Sequence, residues 1–258
     1  PNAFVADPPL EQVVTRAVET GLRGKKSLDQ LDIKWSSTTF IAKNYDDIIF
    51  VSAGTGLSSG YFKNFGETQR LGLDLSFNAK NNNTKSRLKN LSLNYSFMKA
   101  SFQSSHTLPA ANHPNSSNDV KAGDIIPGMP EHKINGNINY ELMENFMIKL
   151  GLMAATGVYL RGDESNQLNK TAPYTIFNLQ SDYSPKKDIN FFVRFENLLN
   201  SDYETMGVLG EASSDEVSVP ISELGDTGSG DSAVGPLDPN FLSPGQPRSI
   251  FIGINLKW

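Results

Sequence analysis

The chain has 258 residues, a formal net charge of −5, no cysteine and 38 % hydrophobic residues, with a mean hydropathy of −0.35. Without cysteine there are no disulfides, thiol nucleophiles or Cys-based metal sites, and the acidic balance offers no electrostatic footprint for nucleic acid. No run approaches the roughly 20 apolar residues of a transmembrane helix, but a transmembrane β-barrel escapes that test because alternation dilutes its hydropathy.

The opening residues, PNAFVADPPL, read as a Pro-rich loop. No charged region followed by an apolar stretch precedes them, so no signal peptide is read here and Pro1 is not expected to be a native chain start. Alternation then gives about nine strands and no helix. The first runs near Val13 to Gly24, and the second from Leu28 to Val51 with Ile33, Trp35 and Ile41 on one face. The third, Tyr61 to Ala79, sets Leu71, Leu73, Leu75 and Phe77 against Gly72, Asp74 and Ser76. The fourth, Leu91 to Gln103, aligns Leu91, Leu93, Tyr95 and Phe97. The fifth, His132 to Leu142, sets Ile134, Ile138 and Tyr140 against Asn135, Asn137 and Asn139. The sixth, Phe146 to Leu160, aligns Ile148, Leu150 and Leu152. The seventh, Tyr174 to Tyr183, aligns Phe177, Leu179 and Tyr183, and the eighth, Ile189 to Leu198, aligns Ile189, Phe191, Val193 and Phe195. The last, SIFIGINLKW, puts Ile250, Ile252, Ile254, Leu256 and Trp258 on one face and Ser249, Gly253, Asn255 and Lys257 on the other, with Phe251 as the one large apolar exception.

A final strand with one apolar face, ending on an interfacial aromatic, suits an outer-membrane barrel; the last strand of a soluble β-protein would alternate too. The connections favour the barrel. Short links fall near Gly24–Ser27, Met143–Asn145 and Ser184–Lys187, with a somewhat longer Asn-rich one near Lys80–Lys89. Long links at Ser104–Pro130, Gly162–Pro173 and Gly207–Pro247 alternate with them, as periplasmic turns alternate with extracellular loops. An odd strand count puts the chain ends on opposite sides of the membrane. With Trp258 periplasmic, Pro1 is extracellular, and the chain is expected to be the carboxyl-terminal piece of a larger barrel, interrupted within an extracellular loop.

Several segments in the right order resemble the TonB-dependent receptors of the Gram-negative outer membrane. RFENLLNSDYETMG resembles a late family segment through Asn197, Leu198, Leu199, Asn200 and Tyr203. YDDIIFVSA followed by GYFKNFGETQRLGLDLSF resembles a paired-strand segment through Asn64, Gly66, Thr68, Gly72 and Asp74. IPGMPEHK and YLRGDESNQ are similar to further recurrent segments, and the closing Trp258 stands where the family usually ends in Phe. The resemblance implies a 22-stranded barrel plugged by an amino-terminal domain, uptake of a scarce nutrient (a ferric siderophore, haem or cobalamin), and energy from a TonB complex acting on the plug. Plug and TonB-contacting segment would both precede Pro1. It also implies that the final strand, through Ile250, Ile252, Ile254, Leu256 and Trp258, is read by the outer-membrane barrel-assembly machinery.

Site chemistry is sparse. The histidines are His106, His113 and His132. The first two share a long loop without an adjacent acidic cluster and read as solvent-exposed, so no metal site is expected. The Gly207–Pro247 loop, with Glu211, Asp215, Glu216, Glu223, Asp226 and Asp231, lacks the ligand spacing of an EF-hand and reads as a solvated loop. The tripeptide Arg161-Gly162-Asp163 is too short to mark an adhesin. The wider YLRGDESNQ stretch is the candidate ligand site: Tyr159, Arg161, Asp163, Glu164, Asn166 and Gln167 gather hydrogen-bonding groups at a strand end, and Arg161 suits a carboxylate or phosphate. Loop-to-loop salt bridging explains the same residues equally well. Asp46 and Asp47 point to opposite faces if they lie on a strand, and no Gly-rich phosphate loop leads into a helix, so no enzyme is read.

The expectation is therefore an all-β, antiparallel transmembrane β-barrel portion of about nine strands, residues 1–258. Its sheet is open because the upstream strands and plug are absent. Its partners are outer-membrane lipid, the assembly machinery, TonB through the plug, and a small-molecule nutrient or metal chelate; there is no cofactor and no nucleic acid. A complete small barrel acting as pore, adhesin or structural protein is the alternative, ahead of a soluble carbohydrate-binding module.

Overall fold

A computed structural model describes residues 8–52, 60–108, 113, 118–210 and 240–256. In chain order its strands are β1 (Val14–Leu28), β2 (Leu31–Tyr45), β3 (Ile48–Ser52), β4 (Gly60–Asn64), β5 (Thr68–Asn81), β6 (Leu88–Phe102), β7 (His106–Leu108) and β8 (Asn118–Val120). They continue with β9 (His132–Met143), β10 (Phe146–Ala155), β11 (Tyr174–Lys186), β12 (Ile189–Glu196), β13 (Glu204–Leu209), β14 (Asn240–Pro244) and β15 (Ser249–Leu256). Nine of these form one antiparallel sheet in the order β1-β2-β5-β6-β9-β10-β11-β12-β15. The remaining six form three two-stranded hairpins, β3–β4, β7–β8 and β13–β14.

The register assigns every strand residue to a face. One cross-strand row reads Ile33, Ala79, Leu91, Ile138, Leu150, Leu179, Phe195, Ile250. The next in-phase row reads Trp35, Phe77, Leu93, Gly136, Leu152, Phe177. Between them lies Lys25, Lys34, Asn78, Ser92, Asn137, Gly151, Asn178. One face is thus apolar and the other polar across the sheet, as the pleat requires. Among the described residues no element covers the apolar face: Ile250, Ile252 and Ile254 are 58 %, 78 % and 58 % exposed. A soluble sandwich would bury that face; a lipid-facing barrel wall leaves it bare. Among the described residues β1 and β15, the two sheet edges, have no outer partner, so the sheet is open, and the closure that a complete small barrel needs is missing.

The links segregate by length. Two-residue turns at Asp29–Gln30, Glu144–Asn145 and Lys187–Asp188, with the Asn82–Arg87 link, lie at one end. Asp29 and Asn145 take the left-handed backbone that such tight hairpins need, at φ 46° and 64°. The first turn falls after Leu28, beyond the predicted Gly24–Ser27, because pairing continues to Leu28–Leu31. All long connections leave from the other end.

Three further predictions are corrected there. The second strand does not run to Val51, nor the third from Tyr61. Asp46 turns left-handed at φ 53° and Gly66 at φ 82°, so the apolar run after Asp47 forms the separate β3–β4 hairpin. The sixth strand stops at Ala155, since residues 156–160 leave the sheet for the loops. The loops hold a small core of their own in which Val51, Phe65, Phe102, Leu108 and Val120 are buried, with Ile49, Tyr61 and Ile126 packed against them. Phe65 and Phe102 meet at 4.8 Å between ring centroids. The enclosed packing of this protein therefore lies in its loop cap, at the end where the candidate site sits.

Candidate functional site

Residues 157–171 cross this cap, and the predicted site residues divide there into two groups. Asp163 is fully buried. Its carboxylate accepts from His113 Nε2 at 3.1 Å and from the backbone N–H groups of Gln167 and Leu168 at 2.8 and 3.0 Å. Glu164, also buried, accepts from Asn118 Nδ2 at 2.8 Å and from the Gly162 N–H at 2.9 Å. Asn118 is itself buried and accepts from the Ser165 N–H at 3.0 Å. Asn166, left-handed at φ 54°, donates from Nδ2 to the Ile125 carbonyl at 2.9 Å. These side chains tie the 157–171 loop to the 113–126 segment. Two carboxylates stay buried because each is supplied with donors.

His113 is therefore not the solvent-exposed loop residue expected from sequence. Its side chain is buried, and Asp163 is what holds it in. His106 is likewise half-buried, 4.3 Å from the Phe65 ring and 2.8 Å from Ser104 Oγ. Burial pushes its imidazole below the ordinary histidine range, and the nearby Lys63 charge acts in the same direction. Among the described residues no three His, Asp or Glu side chains gather as metal ligands. Most of the acidic Gly207–Pro247 loop, with Glu211, Asp215, Glu216, Glu223, Asp226 and Asp231, lies outside the described residues.

Tyr159, Arg161 and Gln167 form the second group. Arg161 and Gln167 are exposed and Tyr159 half-buried. Lys170 Nζ stands 4.9 Å from the Tyr159 ring centroid and pairs with Glu131 at 2.8 Å. The Arg161 backbone bridges to the 204–209 strand, its N–H reaching the Gly207 carbonyl at 3.0 Å, so a fixed main chain presents the guanidinium to solvent. Because Asp163 is enclosed, Arg161-Gly162-Asp163 cannot be displayed as a tripeptide.

Sequence reasoning missed Asn118 and the holding role of His113, which share no local pattern with the loop they hold. It singled out other positions whose roles are now visible. Asn197 and Asn200 take left-handed backbones at φ 48° and 54°. Asn197 ends β12 by donating to the Ser201 and Gln246 carbonyls at 2.8 and 3.1 Å, while its own N–H reaches Asn178 Oδ1 at 2.9 Å. Asn64 donates to the Asp46 carbonyl at 2.7 Å. Gly66 closes the β3–β4 hairpin base by accepting from the Asp47 N–H at 2.9 Å, and the Phe40 ring occupies the space a Cβ at Gly72 would need. Thr68 donates to the Asp47 carboxylate, joined there by Asn44 and Arg70. Burial alone would raise that carboxyl, but the Thr68 and Asn44 hydrogen bonds and the Arg70 charge together hold it below the ordinary aspartate range. At the chain end, Ile250, Ile252, Ile254 and Leu256 share the apolar face of β15, which pairs with β12; Trp258 lies outside the described residues.

Comparison with known proteins agrees with this geometry. Residues 1–198 match the family described as TonB dependent receptor-like, beta-barrel. No curated protein matches. Among solved structures, the siderophore receptor PiuA from Acinetobacter baumannii is similar with a TM-score of 0.63 at 13 % identity, over 95 % of this chain and 28 % of that one. The ferric yersiniabactin uptake receptor FyuA from Yersinia pestis gives 0.57 at 16 %, over 93 % and 29 %. The copper transporter OprC gives 0.58 at 15 %, over 95 % and 31 %. At these identities the likeness is one of fold, and the chain spans less than a third of each of these structures.

Proposed function

The chain belongs to the TonB-dependent receptor-like β-barrel family, a family of outer-membrane receptors rather than enzymes, and from that premise we propose that residues 1–258 are the carboxyl-terminal part of a receptor barrel for active uptake of a scarce nutrient. The observation that carries this reading is the nine-stranded antiparallel sheet, with one bare apolar face, one polar face, and every long loop at one end. Its two edges, unpartnered among the described residues, and its coverage of under a third of the similar receptors support a larger barrel around it. The apolar face meets outer-membrane lipid, the β15 series is read by the assembly machinery, and TonB acts through a plug outside this chain. The cargo class is a small metal chelate, a ferric siderophore before haem or cobalamin, since two of the similar structures are described as siderophore or ferric yersiniabactin receptors.

In this reading Tyr159, Arg161 and Gln167 touch the ligand, and Asp163, Glu164 and Asn166 hold the loop that presents them. The test is uptake of radiolabelled ferric chelates and of copper by cells whose only copy of the full receptor carries Arg161→Ala or Asp163→Ala. Arg161→Ala is expected to weaken uptake of an anionic chelate about tenfold while receptor abundance stays normal, the loss of one bidentate charge-assisted contact. Asp163→Ala should lower uptake together with protease resistance of the loops, because His113 and two backbone donors lose their acceptor. Normal uptake by cells lacking the receptor altogether would overturn the transport reading.

A further inference from the structure

The polar face carries a cluster that neither the loop cap nor the apolar wall explains. Lys25 and Lys34 are direct cross-strand partners on β1 and β2. Like charges placed opposite each other destabilise a sheet. On the same face Arg23 lies two residues from Lys25 along β1. Lys80 lies in the next row, where β5 pairs it with Asp32. Among the described residues none of these four cations makes a salt bridge. The carboxylates in and beside these rows of β1, β2 and β5 are Asp32, which already accepts from Ser27 Oγ at 2.6 Å and Asn82 Nδ2 at 2.7 Å, and Asp74, which pairs with Thr38 in the row beyond Ser76 and accepts from Ser96 Oγ at 2.6 Å. Four positive charges thus face two negative ones, each already engaged by hydrogen-bond donors.

Arg23, Lys25 and Lys34 border a shallow, open depression of about 610 Å³ together with Ser36, Ser76 and Asn78, and Gly24 and Trp35 complete its lining. That is the size of a small-molecule site, and Ser36, Ser76 and Asn78 supply hydroxyl and amide donors beside the cations. A local rule broken with no ion pair to offset it among the described residues points to a functional constraint. The like-charge pair is relieved when an anion bridges it.

We propose that Arg23, Lys25 and Lys34 form an oxyanion-binding site on the lumen-side wall of the barrel, four cross-strand pairs in from the Asp29–Gln30 turn, and that it takes a small solute bearing several carboxylate or phosphate groups. Several oxyanions suit it better than one, because the cations sit on separate strands and all project from one face. The site lies toward the end opposite the loop cap, so it is separate from the Tyr159–Gln167 loop. It rests on the barrel-wall assignment of the polar face and not on any choice of transported nutrient.

The experiment is calorimetry on the full receptor in detergent, titrated with citrate and, separately, with inorganic phosphate. Citrate binding that weakens at least tenfold in Lys25→Gln/Lys34→Gln, and falls with added salt, supports the site. Phosphate is expected to bind more weakly than citrate. Heat-modifiable mobility reports whether each variant is folded; if the double variant does not fold, Lys34→Arg should keep binding and Arg23→Gln should reduce it. No binding of either probe to the wild-type receptor overturns the proposal, because the charges are then neutralised within the receptor itself. Undiminished binding in the folded double variant overturns it as well, because the anion then sits elsewhere. Citrate binding by the purified receptor, with normal uptake by cells that lack the receptor, would strike the transport reading and leave this site standing.

Discussion

His106 shows how a single side chain couples the loop cap to pH. It sits at the start of β7, against Phe65, with Ser104 on Nε2 and the Lys63 charge nearby from β4. Burial favours the neutral ring, so the folded cap binds its proton less readily than an opened one does. The stabilisation from this depressed histidine is fully present above about pH 6.5 and is lost as pH falls from there through the lower folded value. The β7–β8 hairpin is therefore expected to lose amide protection between pH 7.5 and 5.5, measured by hydrogen exchange on the full receptor and corrected for intrinsic rates. His106→Phe should flatten that dependence while keeping the contact with Phe65. Equal pH sensitivity in the variant would assign the effect to another group. Asp47 acts in the opposite sense of acid and base but with the same outcome: its depressed carboxyl stabilises the β3–β4 base at neutral pH and ceases to do so only in strong acid.

At the scale of elements, β15 tests the facing of the sheet. Ile252 stands mid-strand on the apolar face and is 78 % exposed, while Asn255 pairs with Asn190 on the polar one. A lysine on the lipid face costs about 2–4 kcal/mol near the bilayer midplane and little near the interfaces. Ile252→Lys in the full-length receptor should sharply reduce the folded barrel recovered from outer-membrane fractions, and Asn255→Ala should leave it nearly unchanged. Similar yields from both would mean the two faces are reversed. This facing was legible in the sequence because each long strand alternates between one apolar and one polar face. All nine sheet strands were found for that reason. The three accessory hairpins were not, since β3, β7 and β8 bury residues in a loop core whose pattern is set by contacts from distant segments. The break at Asp46 was hidden by the apolar residues after it, Ile48 to Val51, which continue the look of a strand. The candidate site was half legible for the same reason. Its polar composition was plain, but that Asp163 and Glu164 serve His113 and Asn118 depends on pairs 46 to 50 residues apart.

Over the whole molecule, stability and closure are separate matters. Among the described residues the buried core gathers in the loop cap, where the end of β6 joins it through Phe102, and the apolar face of the nine-stranded sheet stays uncovered. The outer backbone groups of β1 and β15 have no ladder partner among the described residues. In a bilayer every such group must be satisfied, and only a closed barrel does this for strands. In water the same edges are templates for pairing with other chains. Val18 and Leu22, 70 % and 72 % exposed on β1, add apolar surface to one of those edges. Residues 1–258 expressed alone and refolded into detergent are therefore expected to give aggregates or heterogeneous oligomers, whereas the full receptor gives a monomer whose electrophoretic mobility shifts on heating. Size-exclusion chromatography with light scattering, followed by limited proteolysis, distinguishes the two. A protease-resistant, heat-modifiable monomer from residues 1–258 would show that β1 and β15 can close on each other, and the nine strands would then have to be read as a barrel in their own right.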